Sequence, residues 1–308
     1  MKYLQKLNTI LIATSWTQEE LARQLKVSFP SLNAWLNERS APRRSAIIRI
    51  DELYLSLIGA EEVSQEELEM KKQQALNVKL TASSIVNSSD LLERLTIHLT
   101  YHTNTIEGST MTMADVKDVL FQDKVLSNRT AIEQAEARNH QAALYWLLDE
   151  LTINKEFILN EDLILGLHLR LMNGIVGDAG QYRKHSVRIL GTHIPLANWQ
   201  KIPTLIAEYI QSLKENRSDL IKLMSESHAA FEMIHPFSDG NGRTGRLLIL
   251  AQALHAGIAP PIIPKERKQA YYKYLELAQV HENVSPLEMF IAESIINSKQ
   301  ILLSKNGT

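Results

Sequence analysis

The chain has 308 residues, 44% of them hydrophobic, and a near-balanced charge of 33 Lys and Arg against 35 Asp and Glu, for a net −2. That length and content support one sizeable core plus a small satellite. No cysteine is present, which excludes a disulfide framework, a thiolate zinc site and a cysteine nucleophile.

At the N-terminus, Lys2 and Lys6 precede an apolar run, residues 9–13, that is too short for a signal peptide. Residues 17–25 (TQEELARQL) open with Thr17 and Glu20 at capping-box spacing and predict a short helix. Lys26 and Val27 form a turn. Ser28 then caps a second helix with Pro30 in its first turn and Leu32, Trp35 and Leu36 facing inward. The spacing of Ile47, Ile50, Leu53, Tyr54 and Leu57 predicts a third helix over 45–57. The TQxxLAxxLxVS pattern from Thr17 to Ser28 resembles the helix-turn-helix of Cro-type and Xre-type repressors. Residues 1–60 hold eight basic and five acidic side chains, a net +3 in a chain of −2. That asymmetry suits a phosphate-facing module with Ser31, Asn33 and Asn37 as base readers, and DNA is the partner this implies. A small trihelical bundle serves equally well as a protein interface.

Residues 59–79 are rich in Glu, Gln and Lys and read as an exposed helix or linker with little apolar face. A polar loop at 83–90 precedes a helix marked by Leu91, Leu92, Leu95, Leu99 and Tyr101, which Gly108 is placed to terminate. Glu107 is then an anion at the negative end of a helix dipole, and a cation should meet it unless solvent does. Further on, residues 180–195 (GQYRKHSVRILGTHIP) carry Val187, Ile189 and Ile194 around a Gly191-Thr192 turn, which predicts a β-hairpin. Strand signals are scarce elsewhere, so the fold is expected to be mainly α.

Residues 218–234 have the apolar spacing of an amphipathic helix that Pro236 stops, and 243–256 read as a buried helix with its first turn at 241–244. Between them lies HPFSDGNGRTGR, His235 to Arg246. A helix N-terminus with free N–H groups suits phosphate, and Gly240 and Gly242 let the backbone curl into an anion nest. Arg243 and Arg246 lie on one helix face and can fork onto phosphate oxygens. Asp239 suits a Mg²⁺ ion shared with phosphates, and His235 has the ordinary pKa of a general base. An ordinary turn with a capping histidine is the plain alternative. His235 and Asp239 alone make a weak transition-metal site. Residues 270–279 (AYYKYLELAQ) are helical by spacing.

The segment His235 to Arg246 resembles the full HPFxDGNGRxxR signature of Fic domains, with no departure at a fixed position. That resemblance implies a Fic-type helical core with one β-hairpin flap, plus the small N-terminal helix-turn-helix bundle. It also implies transfer of AMP from ATP to a Ser, Thr or Tyr hydroxyl of a target protein. His235 is then the base and Asp239 the Mg²⁺ ligand. Gly240, Asn241, Gly242, Arg243, Thr244 and Gly245 hold the nucleotide, and Arg246 meets the γ-phosphate. Leu190, Gly191, Thr192 and His193 belong to the flap beside the nucleotide, and Tyr271, Tyr272 and Gln279 to the adenine pocket. Thr103, Glu107 and Gly108 match the [S/T]xxxE[G/N] inhibitory motif of the family, in which the glutamate pairs with the second arginine. The expected organisation is a helix-turn-helix domain at 1–60, a linker or connecting helix at 61–89 and a Fic domain at 90–308. Expected partners are ATP, Mg²⁺, a hydroxyl-bearing protein that includes the chain itself, and DNA. A homodimer is compatible with this, and no membrane is expected. Residues 247–263 are apolar but broken by Gln252, His255 and prolines, so a cytoplasmic protein is the default. The alternatives are a DNA-binding regulator whose core senses nucleotide, transfer of another phosphate-containing group, and removal of AMP.

Overall fold

In the computed structural model, residues 2–59, 63–153, 158–188, 194–214 and 218–303 are described. The N-terminal module packs α1 (Tyr3–Thr14), α2 (Gln18–Gln24), α3 (Phe29–Leu36) and α4 (Arg44–Leu57) around Leu7, Ile10, Leu21, Leu25, Leu32 and Ile50. The predicted caps are present: Thr17 and Glu20 form a capping box, and Ser28 accepts from the Ser31 N–H. Helix α1 is not expected from the sequence, because its apolar run is short, yet Leu7 and Ile10 are fully buried and complete the bundle. In α4 the register differs from the apolar spacing. Ile47 and Leu57 are exposed, while Ala46 and Leu55 turn inward.

The segment read as an exposed linker holds a packed helix, α5 (Gln65–Leu76), which lies along α15 (Ser285–Leu303). Its buried apolar side chains are Leu68 and Ala75, with Leu76 partly buried beside them. Between them Lys72 is buried and reaches Glu288 and, at 2.6 Å, Asp219 Oδ2. A cationic residue in a sequence window reads as surface. Here two carboxylates from other helices make its burial tolerable.

The main core is built from α6 (Ala82–Val86), α7 (Ser89–Ile106), α8 (Met113–Phe121), α9 (Ala131–Ile153), α10 (Glu161–Met172), α11 (Ile202–Leu213), α12 (Leu220–Ile234), α13 (Asn241–His255) and α14 (Lys268–Val280), with α15 closing it. Helix α13 runs through the middle. Leu247, Leu248, Ile249, Leu250 and Ala251 are all buried, so every face of it meets protein. It packs on α7, α9, α10 and α12, which fixes the start of α13 among four neighbours.

The predicted β-hairpin is corrected on its described residues. Its turn, Gly191-Thr192, lies outside them, and residues 184–188 and 194–198 form no strand. Backbone bonds there go elsewhere: Arg183 N–H to Pro236 O at 2.9 Å and Ala197 N–H to Met233 O at 3.3 Å. Among the described residues the only bridge joins Lys79 to Ile258, and no helix is long and apolar enough to cross a membrane.

Candidate active site

His235 is the C-cap of α12 in a left-handed conformation, φ 50° and ψ 62°. Its backbone N–H closes on Phe231 O. Its ring Nδ1 lies 3.2 Å from Glu232 O. A carbonyl can only accept, so Nδ1 carries the hydrogen and Nε2 keeps the lone pair. Burial lowers the imidazole pKa, opposed by the Glu232 carbonyl, and the Arg183 charge lowers it further against Glu107 and Asp239. The ring is therefore a neutral acceptor at neutral pH.

Three contacts shape the loop that follows. The Asn241 side chain accepts the Phe237 N–H and donates to Phe237 O, both at 2.9 Å, closing the turn on itself. His168 stacks on Phe237 with ring centroids 3.6 Å apart and planes 2° from parallel. Its Nδ1 accepts the Gly180 N–H at 2.9 Å, so its Nε2–H donates to Asp239 O at 3.0 Å. Burial pushes the His168 pKa down to about 4, which keeps that tautomer neutral. Ser238 donates to Asp178.

Gly240, at φ 77°, is the N-cap of α13 and has no side chain to cap it. The helix dipole and first-turn N–H groups are left for an anion. Beside that turn lies the Glu107 carboxylate, which is bonded to Arg246. A Cβ added to Gly242 would collide with its Oε1, so the carboxylate lies directly on the first turn. Glu107 also forms an ion pair with Arg246, whose Nε donates to Thr103 Oγ1 at 2.7 Å and whose Nη1 donates to the Tyr271 hydroxyl at 3.4 Å. Partial loss of solvent opposes ionisation of both partners, with the Glu107 side chain still 31% exposed, yet each stabilises the other. The Glu107 carboxyl lies below its ordinary range and the Arg246 guanidinium above its own. The end of α7 that presents Glu107 is a Schellman motif: Ser109 N–H bonds Asn104 O at 2.9 Å and Gly108 N–H bonds Thr105 O at 3.1 Å, with Gly108 at φ 113°.

Beneath Arg246 lies a second polar layer. Tyr271 Oη is 2.6 Å from His228 Nε2. Glu232 Oε1 and His228 Nδ1, both without partners among the described residues, face the Cα of Gly245. Burial pushes the Glu232 pKa up to about 8, partly offset by Arg246.

A profile of the Fic/DOC family matches residues 158–253, which contain this whole loop and most of α13. The chain carries a Fic domain. It is 30% identical over 237 residues to the protein adenylyltransferase Fic of Aedes aegypti and 31% identical to that of Culex quinquefasciatus. Each alignment covers 74% of this chain and 47% of the relative, so the chain spans about half the length of the curated relatives it matches. Among solved structures, Fic-1 (aa134 - 508) from C. elegans has the same fold, with a TM-score of 0.66 at 22% identity over 92% of this chain and 84% of that one.

Within the Fic domain and its flanks, the structure places several sequence-predicted residues differently. Asn241 is buried and spends its amide on the loop, so it braces the cradle. Thr244 is buried with its hydroxyl on Gly240 O, and Gly245 packs against α12, where a Cβ would lie 2.7 Å from Glu232 Oε1. Both face the core, because α13 is surrounded. Arg243 is buried and donates to Glu136 Oε1 at 2.7 Å, with Asp239 at 3.6 Å. Tyr271 is buried under Arg246, whereas Tyr272 is 39% exposed. Gln279 donates to Ala229 O of α12 at 3.1 Å. Leu190, Gly191, Thr192 and His193 lie outside the described residues. Sequence reasoning missed His168, Arg183 and Glu136. A lone histidine on an apolar helix face reads as core, and neither Arg183 nor Glu136 has a neighbour in sequence that marks its contact.

Proposed function

We propose that the chain is an ATP-dependent protein adenylyltransferase held in check by Glu107. The observation that carries this reading is the pairing of two elements in one loop. These are an imidazole whose Nε2 is its free acceptor and an uncapped helix start with the Glu107 carboxylate packed beside it at Gly242. The name carried by the Aedes and Culex relatives, protein adenylyltransferase, supports it. In this reading the triphosphate takes the place of the Glu107 carboxylate on the first turn of α13, and Arg246 passes from Glu107 to the γ-phosphate. The hydroxyl of a Ser, Thr or Tyr attacks the α-phosphorus as Nε2 of His235 takes its proton. The bond to pyrophosphate breaks and AMP remains on the target oxygen. Positioning and charge neutralisation supply most of the rate.

Asp239 is the candidate Mg²⁺ ligand. Its side chain is 60% exposed at the mouth of the loop, with Oδ1 taking the Gly240 N–H. Among the described residues no group of three or more His, Cys, Asp or Glu side chains comes together for a metal. A single carboxylate fits an ion that keeps its waters and shares phosphate oxygens, and such an ion neutralises phosphate charge.

Incubation of the Glu107→Gly chain with α-labelled and γ-labelled ATP tests the reading. Label from the α position alone, lost in His235→Ala, is the expected result. Transfer of γ label, or transfer undiminished in His235→Ala, rejects it.

The division into a helix-turn-helix unit at 1–60, a connector at 61–89 and a Fic unit at 90–308 belongs to the same proposal, although α5 is firmly packed on α15. Exposed Arg23, Lys26, Arg39, Arg43 and Arg44 around α2, α3 and the start of α4 support a phosphate-facing role for the first unit. A salt-dependent mobility shift with duplex DNA is the check.

A further inference from the structure

Arg183 has one of the largest fully buried side chains in the molecule. Among the described residues no carboxylate pairs with it, and burial lowers its pKa with no opposing charge. A guanidinium is this costly to bury unless its N–H groups are used, and all three of its nitrogens donate to main-chain carbonyls. Nε reaches His235 O at 2.8 Å, Nη1 reaches His185 O at 2.7 Å and Nη2 reaches Ala197 O at 2.7 Å. Its own backbone N–H bonds Pro236 O at 2.9 Å. The successive carbonyls of His235 and Pro236 are thus held by one residue. Ala197 N–H holds Met233 O, one turn earlier.

This matters because His235 is strained. A non-glycine residue at positive φ costs about 1 kcal/mol or more and persists only where its surroundings enforce it. That same backbone conformation aims the imidazole. We propose that Arg183 is a positioning residue for the reaction. It pins the left-handed turn that directs the His235 ring, and it ties that turn to the chain at His185 and Ala197, so that the base and the flanking segments form one rigid unit. The inference rests on the reading of His235 as base. It adds that the base is aimed by a residue 52 positions earlier.

The test uses the full chain carrying Glu107→Gly for rates and the unaltered chain for spectroscopy. Arg183→Met keeps length and removes every donor. Arg183→Lys keeps the charge and loses the planar fork, and it carries the test if the Met variant does not fold. With either variant, kcat for AMP transfer falls about 100-fold, the cost of a base displaced by about 1 Å, while KM for ATP moves less than about threefold. The His235 Cε1–H resonance, assigned by its loss in His235→Ala, shifts in both variants. In Arg183→Met it also titrates at higher pH, because a cation facing the ring is gone while Glu107 and Asp239, which face it too, remain. An unshifted His235 resonance overturns the proposal whatever the rate does, and so does a kcat within about threefold of the parent. A shifted resonance with full transfer by His235→Ala leaves the positioning of the ring standing and removes the base reading instead.

Discussion

The Glu107 carboxylate reaches from the end of α7 onto Arg246 and, in the same pose, lies on Gly242 at the first turn of α13. One side chain therefore pairs with a guanidinium and lies beside the positive end of a helix dipole. Replacing it with glycine removes that competition without touching the loop. Glu107→Gly is expected to raise AMP transfer by about tenfold or more, the effect of about 1.4 kcal/mol or more of displaced ion pairing. The check is labelled-ATP transfer in parallel with the parent chain, and equal rates would count against inhibition.

The same pair has a pH signature. Glu107 has a folded pKa below its ordinary value. Its contribution to stability is therefore complete above the unfolded carboxylate range and is lost as pH falls through the folded value. In urea titrations from pH 6 downward, Glu107→Gln should lose less stability than the parent in the acid range.

His168 predicts a second, separate window. Its pKa is lowered from 6.5 to about 4 by burial, so the unfolded chain binds a proton that the folded chain refuses. Stability from this group is complete above about 6.5 and falls, by about 1.4 kcal/mol per pH unit, down to about 4. A histidine NMR titration should find it neutral at pH 5. His168→Ala should cost about 3 kcal/mol, from lost stacking and two lost buried hydrogen bonds. It should also reduce transfer, because Asp239 O and Phe237 lose their support.

How much of this was legible in the sequence depends on how local each contact is. The loop from His235 to Arg246 is contiguous, so its chemistry reads directly, and Thr103 and Glu107 sit one helical turn apart at a helix end that Gly108 marks. Arg183, by contrast, bonds only carbonyls, which carry no sequence signature. Val187, Ile189 and Ile194 suggested paired strands, but the described backbone beside them bonds the end of α12 instead. Helix α1 was hidden by a short apolar run, and α5 by a buried lysine whose partners lie 147 and 216 positions away.

That lysine gives a stability prediction. Lys72→Met would leave the buried Glu288 and the partly exposed Asp219 without their shared cation; burial lowers the lysine pKa, but the two carboxylates outweigh it and raise it overall. A loss of about 3 to 5 kcal/mol is expected in urea unfolding. Adding Glu288→Leu to Lys72→Met should recover part of it.

The Schellman end of α7 has a consequence for how inhibition scales. The carboxylate is tethered to a rigid 18-residue helix whose last turn is locked by two main-chain bonds, so it competes for the start of α13 as a ligand of fixed effective concentration, about millimolar or above. Dilution cannot weaken such a competitor. Each molecule carries its own dose, and within the proposed function the ATP level, rather than the amount of protein, sets how many molecules are open.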